Sequence, residues 1–286
     1  MMSSEDFIKS IHNFLNKTID LTDEKIKEEA LEYVKNNKQG IIDFFIKHKS
    51  MNQIAYFMAG GPGAGKSEAS LSLLTEHKID IIEADAIRKI LPHYNGKNAS
   101  LFQKASSKGV EYLFTEALKN HYGFIMDGNF AHLEIQKSNV SRTLKKGYEV
   151  KILYIYRHLE TAKEYTRIRE DKEGRRVEED TFYAKFLQSL EVANKIKEFY
   201  PIVSLNFYNV SENKSFENIE SLDKIIDDNP KIQKDIQTAK NFLENKLSKE
   251  LSHNNMPLNN HSNRYAHNTP NNRYQKNDKN NGGMEM

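Results

Sequence analysis

The sequence predicts an α/β protein: a parallel sheet with helices on both faces, preceded by further helices and followed by a disordered tail. Three observations predict it. Short apolar runs alternate with helix-period segments from residue 54 to residue 208, a pattern that right-handed crossovers turn into a parallel sheet. A glycine-rich loop at 60–67 lies where one such run gives way to a helix, so backbone amides can gather there around an anion. The 286 residues are 38% hydrophobic and 29% charged, enough apolar material for one core with a wet surface.

Composition excludes several classes. With no cysteine there is no disulfide scaffold, iron–sulfur cluster, thiolate zinc site or cysteine nucleophile. No apolar run approaches the ~20 residues of a membrane helix, so no membrane partner is expected. The start, Met-Met-Ser-Ser-Glu-Asp, lacks the apolar stretch of a secretory signal, and a cytoplasmic location is expected. Lys and Arg number 42 against 40 Asp and Glu. The excess lies in the tail from residue 252, where Arg264, Arg273, Lys276 and Lys279 face only Asp278 and Glu285. The body is formally neutral, and nucleic acid is not an expected partner.

The elements follow in order. Residues 1–50 read as helices packing on the body. Phe7, Ile11, Phe14 and Leu15 share one helical face. A second helix starts at Thr22, with Asp23 and Glu24 in its first turn where the dipole favours them, and Gly40 ends or bends it. Residues 51–251 form the α/β domain, with strands at 54–59, 79–82, 124–126, 150–156 and 202–208. Helices are expected to follow Gly65 and to cover 101–120, 160–169 and 180–198. A polar segment spans 171–179, and two polar helices at 216–227 and 232–251 close the domain. The tail, 252–286, is rich in Asn and poor in aliphatic residues, and cannot bury enough surface to offset its ordering entropy. Its His253, His261 and His267 fit no ligand spacing.

The loop carries the strongest signal. Gly60, Gly61, Pro62, Gly63, Ala64, Gly65, Lys66 and Ser67 match G-x-x-x-x-G-K-[ST] in full, with an apolar strand before and a helix after. The glycines let amide groups wrap a phosphate, Lys66 reaches the β- and γ-phosphates, and the Ser67 hydroxyl ligates Mg²⁺. The pattern predicts a nucleoside triphosphate and Mg²⁺. No N-K-x-D motif is present and no strand ends in Asp-Glu, which argues against a GTPase or a motor. ATP and GTP stay open as donors.

Chemistry in such a sheet gathers beyond the carboxyl ends of the strands. Asp85 and Asp127 stand there. A kinase acting on an alcohol needs a carboxylate to take the hydroxyl proton, and Asp85 is the candidate, with Glu83 the alternative. A plainer reading makes Asp85 the cap of a helix at 86–91. Arg167, Arg169, Arg175 and Arg176 cluster around Gly174, as in a mobile lid that clamps phosphoryl charge. The plainer reading pairs these arginines with Glu170, Asp171, Glu173 and Glu178 on a solvated surface.

From residue 33 to residue 186 the chain resembles the zeta toxin family, a branch of the P-loop kinases found in bacterial toxin–antitoxin systems. The resemblance runs through the loop at 60–67, Asp85-Ala-Ile-Arg-Lys-Ile-Leu-Pro92 and the helix around Glu111. It continues with Asp127-Gly128, the Gly147-Tyr-Glu-Val run and the arginine-rich stretch. It implies a P-loop kinase-like fold and transfer of phosphate from ATP or GTP to the sugar 3′-hydroxyl of UDP-N-acetylglucosamine, which blocks cell-wall precursor synthesis. It implies Asp85 as general base, and Glu111 and Asp127 as substrate contacts. Asn129 stands among those contacts where the family often has Thr, and Glu178 where Pro is common. It also implies Arg167 or Arg169 together with Arg175 as phosphate clamps, and an antitoxin protein as a partner. A P-loop kinase of another small alcohol, such as an antibiotic or a nucleoside, is the alternative. A non-enzymatic nucleotide-binding module is the third reading, and the neutral body argues against it. Residues 4–19 either pack on the body as one more helix or restrain the nucleotide site from within the chain.

Overall fold

The computed structural model describes residues 22–174 and 176–254. The expectations for residues 4–19, for Arg175 and for the chain beyond Asn254 lie outside these residues. The compact body runs to Leu247.

Thr22 caps the first helix, α1 (Asp23–Asn36), its Oγ1 accepting from the Lys25 N–H at 3.4 Å. The helix does not end at Gly40. It stops at Asn37, whose backbone N–H and side-chain amide both donate to the Tyr33 carbonyl at 2.9 Å and so close the last turn. Gly40 lies inside the following helix, α2 (Lys38–Phe45).

The remaining elements are β1 (Ile54–Ala59), α3 (Lys66–His77), β2 (Asp80–Glu83), α4 (Ala84–Lys89), a 3₁₀ turn (Ala99–Phe102), α5 (Gln103–Asn120), β3 (Phe124–Asp127), α6 (Leu133–Lys145), β4 (Glu149–Tyr156), α7 (Leu159–Glu173), α8 (Glu179–Phe199), β5 (Ser204–Asn209), β6 (Lys214–Phe216), α9 (Asp223–Asp227) and α10 (Pro230–Asn254). The sheet order is β2-β3-β1-β4-β5-β6. The first five strands are parallel and β6 runs antiparallel to β5. The chain leaves β1 to one side for β2 and β3 and returns on the other side as β4. The carboxyl end of β1 is therefore the crevice where such sheets bind ligands.

Alternation along the strands divides the core. Tyr56, Met58, Ile125 and Ile155 face α3 and pack with Ala64. Ala55, Phe57, Phe124, Ile152, Tyr154 and Phe207 face the other way, in one cluster with residues of α1, α2, α5 and α8. Period-two alternation with both faces apolar is what helices on both sides of the sheet require.

Asp80, at the start of β2 and 3% exposed, accepts N–H bonds from Lys47 at 3.0 Å, His48 at 3.0 Å and Lys49 at 3.3 Å, and meets the His48 ring at 2.9 Å. One buried carboxylate thus ties the chain leaving α2 to the sheet.

Several boundaries differ from expectation, and α7, expected to stop at 169, runs to Glu173 into the expected polar segment, where Gly174 ends it in a left-handed conformation. The fifth strand begins at Ser204, because the residues after Pro201 turn first and leave Ile202 exposed. Residues 214–216 form the antiparallel β6 instead of opening a helix. Asn213 turns the chain at φ +51°, and Phe216 is set opposite Phe207 with ring centroids 6.2 Å apart. The last helix runs on to Asn254, past the expected end at 251. No helix among the described residues is long and apolar enough to cross a membrane.

Candidate active site

The loop leaves β1 at Gly60 and becomes α3 at Lys66. It is wedged against its neighbours. At Gly60, φ is +133° and a Cβ would lie 2.3 Å from the Ile155 carbonyl oxygen of β4. At Gly63, φ is +71° and a Cβ would lie 2.1 Å from the Ala162 carbonyl oxygen of α7. Only glycine takes these conformations at such approaches without strain. Gly61 abuts Phe186 of α8, and Ala64 is buried beneath the turn. Pro62 lines a small apolar cavity behind the loop with Tyr156, Leu159 and Phe186, which is packing space. Lys66 opens α3 and bends back over the loop, donating to the carbonyls of Gly60 at 3.0 Å and Gly61 at 2.7 Å. Its ammonium is thereby held against the loop's own backbone.

Asp127 ends β3, the strand beside β1. Burial lifts its carboxyl above the ordinary value. Lys66 and the hydroxyls of Ser70 and Ser67, with Arg169, pull the other way. The Ser70 hydroxyl is fully buried and makes no hydrogen bond of good geometry. A carboxylate and the Ser67 hydroxyl beside a phosphate loop are oxygen donors of the kind Mg²⁺ uses. That ion takes only one or two protein ligands, and phosphate and water supply the rest. These residues therefore fit the ion.

Asp85 is the second residue of α4, and Glu83 at the end of β2 stands opposite Asp127 in the sheet register. The expected cap role is not what Asp85 performs: the helix starts at Ala84, so the capping position falls to Glu83, whose side chain makes no capping bond. Asp85 lies instead one residue inside the first turn and accepts from Arg88 one turn on. Arg88 is buried, and its other arm donates to Gln103 of α5 at 2.6 Å. Burial pulls its pKa below the usual guanidinium value. From α7, Arg169 reaches the second oxygen of Asp85 at 3.5 Å. The carboxylate thus stands between two guanidinium groups, one buried and one on the arginine-rich helix.

The other expected site residues divide. Arg167 pairs with Glu164 at 2.9 Å, and its side chain is 71% exposed, on the solvated side of α7. Arg176 pairs with Glu178 at 3.2 Å. Gly174 closes α7 with φ +71° and an N–H bond to the Glu170 carbonyl at 2.7 Å. Glu111, on α5, accepts both arms of Arg142, at 2.8 and 3.1 Å, and the Thr115 hydroxyl at 3.0 Å. Burial lifts its carboxyl, but these bonds outweigh burial and hold it below the usual carboxylate range. None of its bonds joins it to Asp85 or to the loop. Asn129 lies on the bend from β3 to α6, just before Phe130 at φ +57°.

Two residues of the site went unread in the sequence. Arg88 carried a usable signal, since Asp85 and Arg88 are three apart and share a helix face. Arg157, directly after β4, carries its guanidinium 3.9 Å from the Tyr165 ring. An arginine after a strand gives no pattern by itself.

A sequence profile of the zeta toxin family matches residues 44–220. Among solved structures, the PezAT chromosomal toxin–antitoxin system of Streptococcus pneumoniae superposes with a TM-score of 0.56 at 20% identity, over 79% of this chain and 97% of that one. The AvrRxo1-ORF1:-ORF2 complex with ATP gives 0.49 at 11% identity, over 68% of this chain and 65% of that one. A putative kinase from Chloroflexus aurantiacus gives 0.39 at 13% identity, over 49% and 80%. No curated protein matches the chain.

Proposed function

Because this chain belongs to the zeta toxin family, and is thereby a kinase-type phosphotransferase, we propose that it phosphorylates the sugar 3′-hydroxyl of UDP-N-acetylglucosamine with ATP or GTP. One observation carries the reading. A carboxylate at a neighbouring strand exit, Asp85, is held in place by buried Arg88 and touched by Arg169 from the helix beside the loop.

In this reading the acceptor hydroxyl gives its proton to Asp85 as its oxygen attacks the γ-phosphorus. The bond from that phosphorus to the bridging oxygen breaks, and the nucleoside diphosphate leaves. Lys66 and Arg169 stabilise the charge on the transferring group, whose transition state is met almost entirely by positioning and electrostatics. Ser67 and Asp127 would hold Mg²⁺, which neutralises charge on the β- and γ-phosphate oxygens. Asn129 and Glu111 are the candidate acceptor contacts, and Arg175 a further clamp. One solved structure of similar fold comes from a toxin–antitoxin system, and a restraining antitoxin protein is the matching partner here. ATP and the sugar nucleotide are cytoplasmic compounds, and the reaction belongs in that compartment. In this reading the kinase domain is 51–251, residues 1–50 pack on it as its N-terminal helices, and 252–286 are its tail.

The test is transfer of labelled γ-phosphate to UDP-N-acetylglucosamine by the purified full chain with Mg²⁺. Labelled sugar nucleotide is expected from the wild type. The Asp85→Asn variant should lose roughly 10²-fold or more in kcat, with ATP affinity little changed. Transfer to a nucleoside or aminoglycoside acceptor instead would establish the alternative kinase. Loss in Glu83→Gln but not in Asp85→Asn would move the base.

A further inference from the structure

The last helix lies beyond the family profile, which ends at residue 220, yet it grips the two helices that flank the arginine-rich stretch. One face of α10 carries Ile232, Asp235, Ala239, Phe242 and Lys246, spaced as neighbours along a helix are. Ile232 and Ala239 are buried in the main core. Phe242 packs on Tyr183 of α8 with ring centroids 4.5 Å apart. Lys246 pairs with Asp180 in the first turn of α8. Asp235 reaches the start of α7. Its Oδ2, on a side chain 16% exposed, accepts the Leu159 N–H at 2.9 Å and the Tyr156 hydroxyl at 2.6 Å. The hydroxyl has one proton and gives it to Asp235, so His158 Nδ1, 3.0 Å from the same hydroxyl oxygen, is the donor there.

We propose that Asp235 is a positioning residue for phosphoryl transfer: it fixes the start of α7 and, through that helix, sets Arg169 at Asp85. The proposal rests on the kinase reading and adds to it the residue that places one of its cations. Leu159 opens α7, and its N–H is one of the amides that a helix start leaves without an intrahelical partner. The capping residue, His158, makes no side-chain capping bond. Asp235 supplies that bond from another helix, with a negative charge where the dipole favours one. The helix it holds touches both halves of the site. Ala162 abuts the loop, where a Cβ on Gly63 would lie 2.1 Å from its carbonyl oxygen. Arg169, roughly 15 Å along the axis from Leu159, meets Asp85 at 3.5 Å. That contact is at the outer limit of a hydrogen bond, so an ångström of play in α7 breaks it. The Lys246–Asp180 pair is open to solvent on both sides, 43% and 38% exposed, and such pairs contribute little. The anchor is therefore Asp235.

A double-mutant cycle in the full chain decides it, with Asp235→Ala, Arg169→Ala and the two together, read as transfer of labelled γ-phosphate from ATP to UDP-N-acetylglucosamine. Asp235→Ala should lower kcat about tenfold with KM for ATP little changed. In the Arg169→Ala background the same substitution should cost nothing further, because residues that act as one unit are not additive. Asp235→Asn keeps an acceptor oxygen without the charge. It should lose less and show the same dependence on Arg169, and it replaces the alanine variant in the cycle if that variant does not fold. An equal loss with and without Arg169 would make Asp235 a structural anchor only and overturn the proposal, as would an unchanged kcat. Hydrogen exchange gives a readout apart from activity. Amides over residues 159–165 should exchange faster in the Asp235 variant while β1 and β3 keep their wild-type protection, and unchanged exchange at the start of α7 would overturn the proposal too. A wild-type chain that transfers no phosphate would fail the kinase reading, an outcome distinct from these, and exchange would still decide whether Asp235 holds α7.

Discussion

Asp85 and Asp127 leave adjoining strands, yet their surroundings set them to different work. Asp85 is claimed by Arg88 and Arg169. Asp127 lies deep by the loop, where burial raises its pKa in spite of Lys66 and two serines. A carboxyl whose folded pKa lies above its unfolded one opposes folding once both states are ionised. That cost is fully present above the raised value. It fades as pH falls through that value and is gone below the ordinary carboxylate value of 3.8. Asp127→Asn should therefore melt at a higher temperature than the wild type at pH 7, with the gap closing toward pH 4, while its kinase activity collapses. Thermal melts across that range check it, and an Asn variant less stable at pH 7 would count against this account of Asp127. At this scale the sequence was informative where residue type and spacing are the chemistry, as at Lys66 and Ser67. It was silent where the meaning lies in an absent neighbour: nothing in the order of residues says that Arg157 meets no carboxylate among the described residues while Arg142 meets Glu111.

The loop is rigid because three elements crowd it. Its glycines are fixed less by the phosphate they would wrap than by β4, α7 and α8 pressing on Gly60, Gly63 and Gly61. Gly60→Ala combines a φ of +133° with a Cβ 2.3 Å from a backbone oxygen, and no side-chain rotation relieves either. Stability should fall by at least ~2 kcal/mol, read by urea unfolding, and nucleotide binding should fall with it. A loss below about 0.5 kcal/mol, the ordinary surface-substitution range, would mean that β4 yields. The same crowding explains which elements were legible. The strand before the loop and the helix after it follow from local pattern, and so does the capped start at Thr22; the close of α7 at Gly174 did not, since the pattern ends that helix at 169 and makes Gly174 a hinge. The short β6 did not follow. Its residues 214–216 have no period to read and are a strand only because β5 offers an edge. Arg169 over Arg167 was equally unreadable, since two arginines two apart on a helix point to different sides and only the fold says which side holds Asp85.

Strand order is the property of the whole molecule that the sequence could not supply, since β1 pairs with β3 and β4 across long stretches of chain. The helices before β1 raise the same problem of scale. The family profile begins at residue 44, yet Ala30, Val34, Ile41, Ile42 and Ile46 are buried in the cluster that holds Phe57 and Phe124. Glu29 reaches His93 at 3.2 Å, and Asp80 ties the exit of α2 to β2. The segment from Thr22 to Ile46 is thus part of the core, not an appendage to it. A chain begun at residue 47 should lose its cooperative melt, because the apolar face of α5, with Leu113 and Ala117, would be left open to water. A chain begun at residue 22 keeps every one of these contacts and should melt as the full chain does. A cooperative melt in the chain begun at 47 would show that α1 and α2 only decorate the sheet. Kinase activity then decides the role of residues 1–21. Higher activity in the chain begun at 22 would mark them as a restraint on the nucleotide site, where even a weak tethered contact acts at roughly millimolar effective concentration. Equal activity would leave the site governed by the body and by whatever partner protein it meets.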